Sequence, residues 1–209
     1  MKDGIEEVVK KWGGIDILIN NASAIDLSDT ETLPMKKYDL MMQINTRGTF
    51  MMSKFCLPYL KKAANPHILN ISPPYESLWP GELRAVKRNW FKGHVAYSIA
   101  KFGMTLCAYG MSEEFKDYGI AVNALWPRTS IATAAVKNLL GGDIAMNRSR
   151  KPEIMGDSAY VILTANSKKT TGTYFFDDEV LVSTGVKDLS KYRCAPNMSD
   201  ADLGPDFFC

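Results

Sequence analysis

The chain has 209 residues, 46% apolar and 23% charged, with a formal net charge of +2. These proportions suit one ordinary soluble globular domain and exclude a disordered tail or a collagen-like chain. So small a net charge, with its lysine pairs short and dispersed, gives no electrostatic case for nucleic acid, and no stretch approaches the roughly 18 apolar residues of a membrane span.

Four cysteines, Cys56, Cys107, Cys194 and Cys209, form no C-x-x-C pair and are too few for a disulfide scaffold, so a reducing compartment is the default. With only His67 and His94 available, no zinc site is expected. The start, Met1 to Glu7, is polar and acidic and has no signal-peptide core. The end, Asp206 to Cys209, is neither the Ser-Lys-Leu peroxisomal address nor a prenylation site, which leaves the cytoplasm as the fallback location.

Taken in order, Ile5 to Trp12 reads as a helix end, stopped by Gly13-Gly14. Ile15 to Ile19 is a short apolar, β-branched run that predicts a strand buried on both faces, followed by the polar turn Asn20-Asn21-Ala22-Ser23. Met35 to Lys62 carries a helical pattern through Leu40, Ile44, Phe50, Met51, Phe55 and Leu60. Pro66 breaks it, and His67 to Ile71 predicts a second strand. Pro73 to Gly93, with Trp79, Trp90 and Phe91, is a loop long enough to suggest a lid or binding loop. A helix over Val95 to Tyr118, a strand over Ile120 to Leu125 and a loop with a short helix around Ala134 to Leu140 follow. A helix then opens at Pro152-Glu153 and runs to Ala165, and Thr173 to Phe176 makes a fourth strand. From Val186 onward an irregular tail is expected, so residues 186–209 are set apart from a domain over 1–185. Strands alternating with helices predict a parallel α/β sheet.

The chemistry-bearing pair is Tyr97 and Lys101, four apart at the start of a predicted helix and so on one face. An ammonium beside a phenol favours phenolate, and a tyrosine so tuned can exchange a proton with a substrate oxygen near neutral pH. The pair alone is better explained as a surface tyrosine with a lysine one turn along.

Its setting decides between these. Asn20-Asn21-Ala22 ends the first strand, Asn45 lies in the next helix, and Asn70-Ile71-Ser72 ends the second strand. Tyr97-x-x-x-Lys101 opens the long helix, and Asn123-Ala124-Leu125-Trp126-Pro127 ends the third strand. This ordered set resembles the short-chain dehydrogenase/reductase family. Further segments, Asn45-Thr46-Arg47-Gly48-Thr49 and Pro205-Asp206-Phe207-Phe208 among them, are similar to one subgroup of it, and the resemblance covers nearly the whole chain.

The resemblance implies a Rossmann-like, doubly wound parallel sheet, with this chain matching strands 4 to 7 of the family fold. It implies an NADP-linked oxidoreductase (NAD the weaker choice) acting on a lipid-like or steroid-like alcohol or ketone. Tyr97 would be the general acid/base. Lys101 would hold the nicotinamide ribose and depress the Tyr97 pKa. Asn45 would kink its helix and support a proton relay. Asn20, Asn21 and Ala22 would line the cofactor, and Ile131 and Thr133 would approach its carboxamide and phosphate. Location by resemblance would be mitochondrion or peroxisome.

Several positions depart from the family pattern. The chain holds no Gly-x-x-x-Gly-x-Gly turn to seat a pyrophosphate. The match therefore begins at the helix before the family's fourth strand, which leaves open whether this chain binds the cofactor on its own. Ile15 to Ile19 would then become an apolar edge strand, open to pairing with another chain. Pro73 occupies the usual catalytic serine position, which leaves Ser72 as the substitute, with Ser77 and Ser98 behind it. The 25 positions from Ser72 to Tyr97 are about twice the family's usual spacing, and the excess around Tyr75 to Arg88 is either an insertion or a coding error. Arg128 replaces a glycine and either meets an anionic group or is solvated. The subgroup's C-terminal sterol-carrier domain is not matched. The alternative function is a catalytically silent chain acting through dimerisation with itself or a full-length relative, since the family's helices matching Met35–Lys62 and Val95–Tyr118 commonly pair between subunits.

Overall fold

The computed structural model describes residues 2–75 and 91–209. Four parallel strands form one sheet in the order of the chain: β1 (Ile17–Asn20), β2 (His67–Ile71), β3 (Ala121–Trp126) and β4 (Tyr174–Phe176). Parallel neighbours need crossovers, and helices supply them. Helix α1 (Lys2–Trp12) precedes β1. Helices α2 (Met35–Met41) and α3 (Gly48–Leu60) link β1 to β2, and α4 (Val95–Glu114) with a 3-10 turn at Lys116–Tyr118 leads into β3. Helices α5 (Ala134–Leu139), α6 (Gly142–Asn147) and α7 (Glu153–Thr164) lead to β4, which runs directly into α8 (Asp177–Ser183). The expected α/β class and parallel sheet are observed.

Side chains alternate across the strands, so each face has its own cover. Leu18, Ile68, Val122 and Ala124 pack with Ile5, Cys56, Leu60, Ala108 and Met111 from α1, α3 and α4. On the other face Leu69 and Leu125 pack with Ile162 and Val180 from α7 and α8. That second cover stops short of β1, where Ile17 and Ile19 are 44% and 46% exposed. The expectation of a strand buried on both faces therefore fails at β1, and its starting residues also shift, from Ile15 to Ile17. Neighbouring Leu69 is wholly buried at the register position of Ile19, so the difference lies in the covering layer, not in the strand's own apolar character.

Each inner strand carries an asparagine that ties it to its surroundings. Asn20 Nδ2 donates to Asn70 Oδ1 at 2.8 Å and to Ser53 Oγ at 3.3 Å, and Asn70 Nδ2 donates to the Met104 carbonyl at 3.1 Å. Asn123 Nδ2 donates to the Thr170 carbonyl and its Oδ1 accepts from the Thr173 N–H, which fixes the approach to β4. Buried amides with both ends paired cost little and fix geometry.

The helix expected over Met35 to Lys62 is not continuous. A π-helical turn, Met42–Arg47, separates α2 from α3. Thr46 in that turn donates to the Ala100 carbonyl of α4, and the approach is close because Gly103 has no side chain. A Cβ there would overlap Thr46 Oγ1 and Cγ2. Gly103→Ala should therefore cost about 1–3 kcal/mol, read from urea unfolding midpoints. Thr46→Ala in the same chain should recover part of that loss; strictly additive losses would contradict this contact.

The part read as an irregular tail is docked. Leu189, Tyr192, Leu203 and Phe208 are buried, with 3-10 turns at Ser190–Tyr192 and Asp200–Asp202. Helices α6 and α8 also lie where loop or undefined structure was expected.

Candidate active site

The C-terminal ends of β1, β2 and β3 open on one side of the sheet, where ligands of open α/β sheets bind. There the first turns of α4 deliver Tyr97 and Lys101, 5% and 3% exposed. Lys101 Nζ donates to the Ile71 carbonyl at the end of β2 at 3.0 Å and lies 5.3 Å from the centre of the Trp126 ring at the end of β3. Both residues line a cavity of about 1060 Å³. Its remaining wall is largely apolar, including Ile25, Leu27, Ile131, Val136, Leu140 and Met155.

The structure brings some of the expected residues together and separates others. Tyr97, Lys101, Asn21, Ile131 and Thr133 share the cavity wall. Thr133 also accepts from the Val136 N–H as the cap of α5. Asn20 is buried instead in the network with Asn70 and Ser53. Ala22 is exposed and lies outside the lining. Asn45 sits in the π-turn with its amide spent on one partner: Oδ1 accepts from the Ala24 N–H at 2.8 Å and Nδ2 donates to the Ala24 carbonyl at 3.0 Å. Its side chain thus holds the loop after β1 in place. Ser72 is wholly buried, its hydroxyl has no partner among the described residues, and it does not line the cavity. Ser98 donates to the His94 carbonyl. Ser77, Trp79, Trp90 and most of the Tyr75 to Arg88 stretch lie outside the described residues. Arg128 is partly exposed, and its guanidinium pairs with Asp178 and Glu179 and stacks over Phe176 at 3.8 Å.

Sequence reasoning missed Asp206, Phe207 and Phe208 as parts of this site. The segment Gly204 to Cys209 folds back across the ends of the strands. Ser130 N–H donates to the Gly204 carbonyl, Gly204 N–H to that of Arg148, and Asp206 N–H to that of Arg128. Trp126 Nε1 donates to the Phe207 carbonyl at 2.5 Å. The Phe208 ring is wholly buried, stacked on Tyr97 and edge-on to Phe102 and Trp126. Phe91, expected to cover substrate, packs on Phe102 and Phe208. Phe208 holds a left-handed backbone, φ +68°. That conformation costs a side-chain-bearing residue roughly 1–2 kcal/mol, which burial of a phenylalanine, worth about 1.5–3 kcal/mol, offsets. The available signals were the pair of phenylalanines in a stretch read as an irregular tail and the resemblance carried by Pro205-Asp206-Phe207-Phe208.

Burial also resets the acid–base groups. It pushes the Tyr97 phenol well above its ordinary value, and the charge of Asp206 adds to that. The direction is opposite to that expected from Lys101 alone, so the phenol is held as a proton donor. Burial pushes Lys101 down to about 8, with Asp206 opposing.

A family model described as short chain dehydrogenase matches residues 1–141. Hydroxysteroid dehydrogenase-like protein 2 of Xenopus laevis is 52% identical over 204 residues, covering 98% of this chain and 45% of that protein. The chain thus spans less than half the length of the curated relatives it matches. A crystal structure of a short chain dehydrogenase of Mycobacterium thermoresistibile is 48% identical with a TM-score of 0.84, over 98% of this chain and 68% of that one. The angucycline C-6 ketoreductase LanV with bound NADP, 18% identical with a TM-score of 0.66 over 84% and 67%, shares the fold.

Beneath the site, Asp177 is wholly buried and accepts from the Arg128 and Asp178 N–H groups, tying the β3 loop to α8. Burial raises its pKa from 3.8 to about 6, against those two hydrogen bonds. The folded state therefore binds this proton more tightly than the unfolded chain does. The associated stability is complete below about pH 4 and is lost as pH rises through about 6. Asp177→Asn lacks that loss. Its stability relative to the parent should improve by on the order of 1–3 kcal/mol between about pH 4 and pH 7, measured by urea unfolding at both. A constant difference would contradict the raised value.

Proposed function

The chain belongs to the short-chain dehydrogenase family, and on that premise we propose that it carries the acid–base site of an NADP-linked oxidoreductase acting on a lipid-like or steroid-like alcohol or ketone. The observation that carries this reading is Tyr97 and Lys101 together in the wall of a large, mostly apolar cavity at the strand ends. A cavity of about 1060 Å³ with few polar groups favours a bulky apolar substrate oriented by a small number of hydrogen bonds.

The donor set suits the nicotinamide end of the cofactor: Lys101 as ammonium, with Asn21, Ile131 and Thr133 along the same wall. When bound, that group supplies or accepts a hydride. Tyr97, held as a phenol by burial, donates its proton to the substrate oxygen as a carbonyl becomes an alcohol. Lys101, fixed by the Ile71 carbonyl, offers its positive charge to the ribose and to the developing negative charge beside Tyr97. The apolar wall excludes water from the reacting carbonyl. Asn45 serves by holding the Ala24 loop, and so the Asn21 wall.

We further propose that the chain self-associates, whether or not it is catalytic. Val95, Ile99, Leu106 and Tyr109 make an exposed apolar stripe along α4, at the spacing of one helix face. Leu106→Glu should convert a dimer to monomer in sedimentation equilibrium; a parent chain already monomeric would contradict this.

For catalysis, Tyr97→Phe removes one hydroxyl and keeps the ring that packs on Phe208. NADPH-dependent ketone reduction should fall by about 10²–10⁴-fold with the unfolding midpoint unchanged. Turnover equal to the parent's would remove Tyr97 from the chemistry.

A further inference from the structure

The cavity has a closed part and an open part. Tyr97 and Lys101 line the closed part and are nearly wholly buried. Arg148 lines the same cavity but is exposed, so it stands at the mouth. The stretch through α5 and α6 that leads to Arg148 gives the wall Val136, Leu140 and Ile144, all apolar.

Arg148 is held in place on several sides. Its N–H donates to the Ile144 and Ala145 carbonyls, and its carbonyl accepts from the Gly204 N–H at 2.9 Å. Its Nε donates to the Asp202 carbonyl at 2.8 Å. The next residue, Ser149, is wholly buried and ties the turn to Ala145 and Ser130. Nη1 and Nη2 have no hydrogen-bond partner among the described residues. The nearby Asp202 carboxylate is engaged by Ser199 and forms no ion pair with the guanidinium. A guanidinium fixed through Nε presents its two outer nitrogens as a fork, the shape that takes a carboxylate by two parallel hydrogen bonds. An exposed arginine is ordinarily just solvated. This one is fixed in advance at the mouth of a largely apolar cavity, which lowers the entropy lost when an anion binds.

The charge of the wall points the same way. Among the described lining residues, Lys101 and Arg148 are the cations and Asp206 is the single carboxyl group. Burial pushes Asp206 up to about 8. Near neutral pH that carboxyl is mostly protonated, and the wall carries net positive charge.

We propose that Arg148 is a specificity-determining residue of this cavity: its guanidinium takes the carboxylate of an otherwise apolar substrate whose carbonyl or alcohol lies at Tyr97. The substrate is then an oxo or hydroxy acid with an apolar body, not a neutral lipid. The reaction in this statement rests on the oxidoreductase reading above; the carboxylate site does not.

The test is calorimetric titration of the chain at about pH 7 with decanoate and with its neutral isostere decanamide. The parent should bind decanoate about 10- to 100-fold more tightly. Arg148→Gln should lose that preference through weaker decanoate binding, with decanamide unchanged, and Arg148→Lys should keep part of it. No preference in the parent, or one that survives in Arg148→Gln, overturns the proposal. If Arg148→Gln does not fold, the parent decides by phenylglyoxal modification of Arg148 followed by peptide mass spectrometry. Protection by decanoate and not by decanamide supports the site; equal rates overturn it. A lower NADPH affinity in Arg148→Gln, with the decanoate preference unchanged, would assign Arg148 to a cofactor phosphate and overturn the proposal. In NADPH-dependent reduction, Arg148→Gln should raise KM for an oxodecanoate by a similar factor and leave KM for its methyl ester unchanged. No turnover in any chain, with the decanoate preference intact, would overturn the oxidoreductase reading and leave the carboxylate site standing.

Discussion

A lysine ammonium kept almost out of water at the end of an apolar sheet sets the terms for the rest of the site. Lys101 is there because α4 crosses the strand ends with its first turns, and it is tolerable there because β2 offers the Ile71 carbonyl and β3 the Trp126 ring. The same crossing fixes Tyr97 one turn earlier on the same face. The position of α4 is itself determined from two sides. Asn70 holds the Met104 carbonyl from the sheet, and Thr46 in the π-turn holds the Ala100 carbonyl against a glycine-sized gap at Gly103. A change of side-chain volume at that contact is thereby felt at the pair, although neither Gly103 nor Thr46 lines the cavity.

The segment after Leu203 completes what the sheet begins. Its aromatic rings close the cavity behind Tyr97, and Asp206 lines the same cavity as the buried lysine. The left-handed backbone at Phe208 is a local cost that the surrounding rings offset. Arg128 and Asp177 support this arrangement from below: Asp177 holds the Arg128 N–H, and the Arg128 carbonyl holds the Asp206 N–H. Two residues that would draw attention as isolated charges therefore act together as a bracket for the segment.

The alternation of strands and helices was legible in the sequence because burial on a parallel sheet demands continuous apolar runs, as in His67 to Ile71. The spacing of Tyr97 and Lys101 was legible because a helix converts four positions into one face. The π-turn at Asn45 was not legible in the apolar periodicity, which one extra residue in a helix leaves almost unchanged; only the resemblance, which implied a kink there, pointed to it. Nor was the inward turn of Asn20, because register against Asn70, not residue type, decides which amide of the Asn20-Asn21 pair faces the cavity. Asp206 and its neighbours were hidden for a third reason: a segment without periodic structure is held mainly by contacts more than fifty positions away.

The central claim is that the cavity at the strand ends, with Lys101 in its wall, seats the nicotinamide end of NADPH. Its most direct test is a titration of the chain with NADPH, followed by the cofactor's fluorescence. The account predicts saturable binding with a Kd in the micromolar range, roughly −8 kcal/mol, weakened about tenfold or more in Lys101→Met, about 1.4 kcal/mol. No saturation at millimolar NADPH, or an affinity indifferent to Lys101, would contradict it.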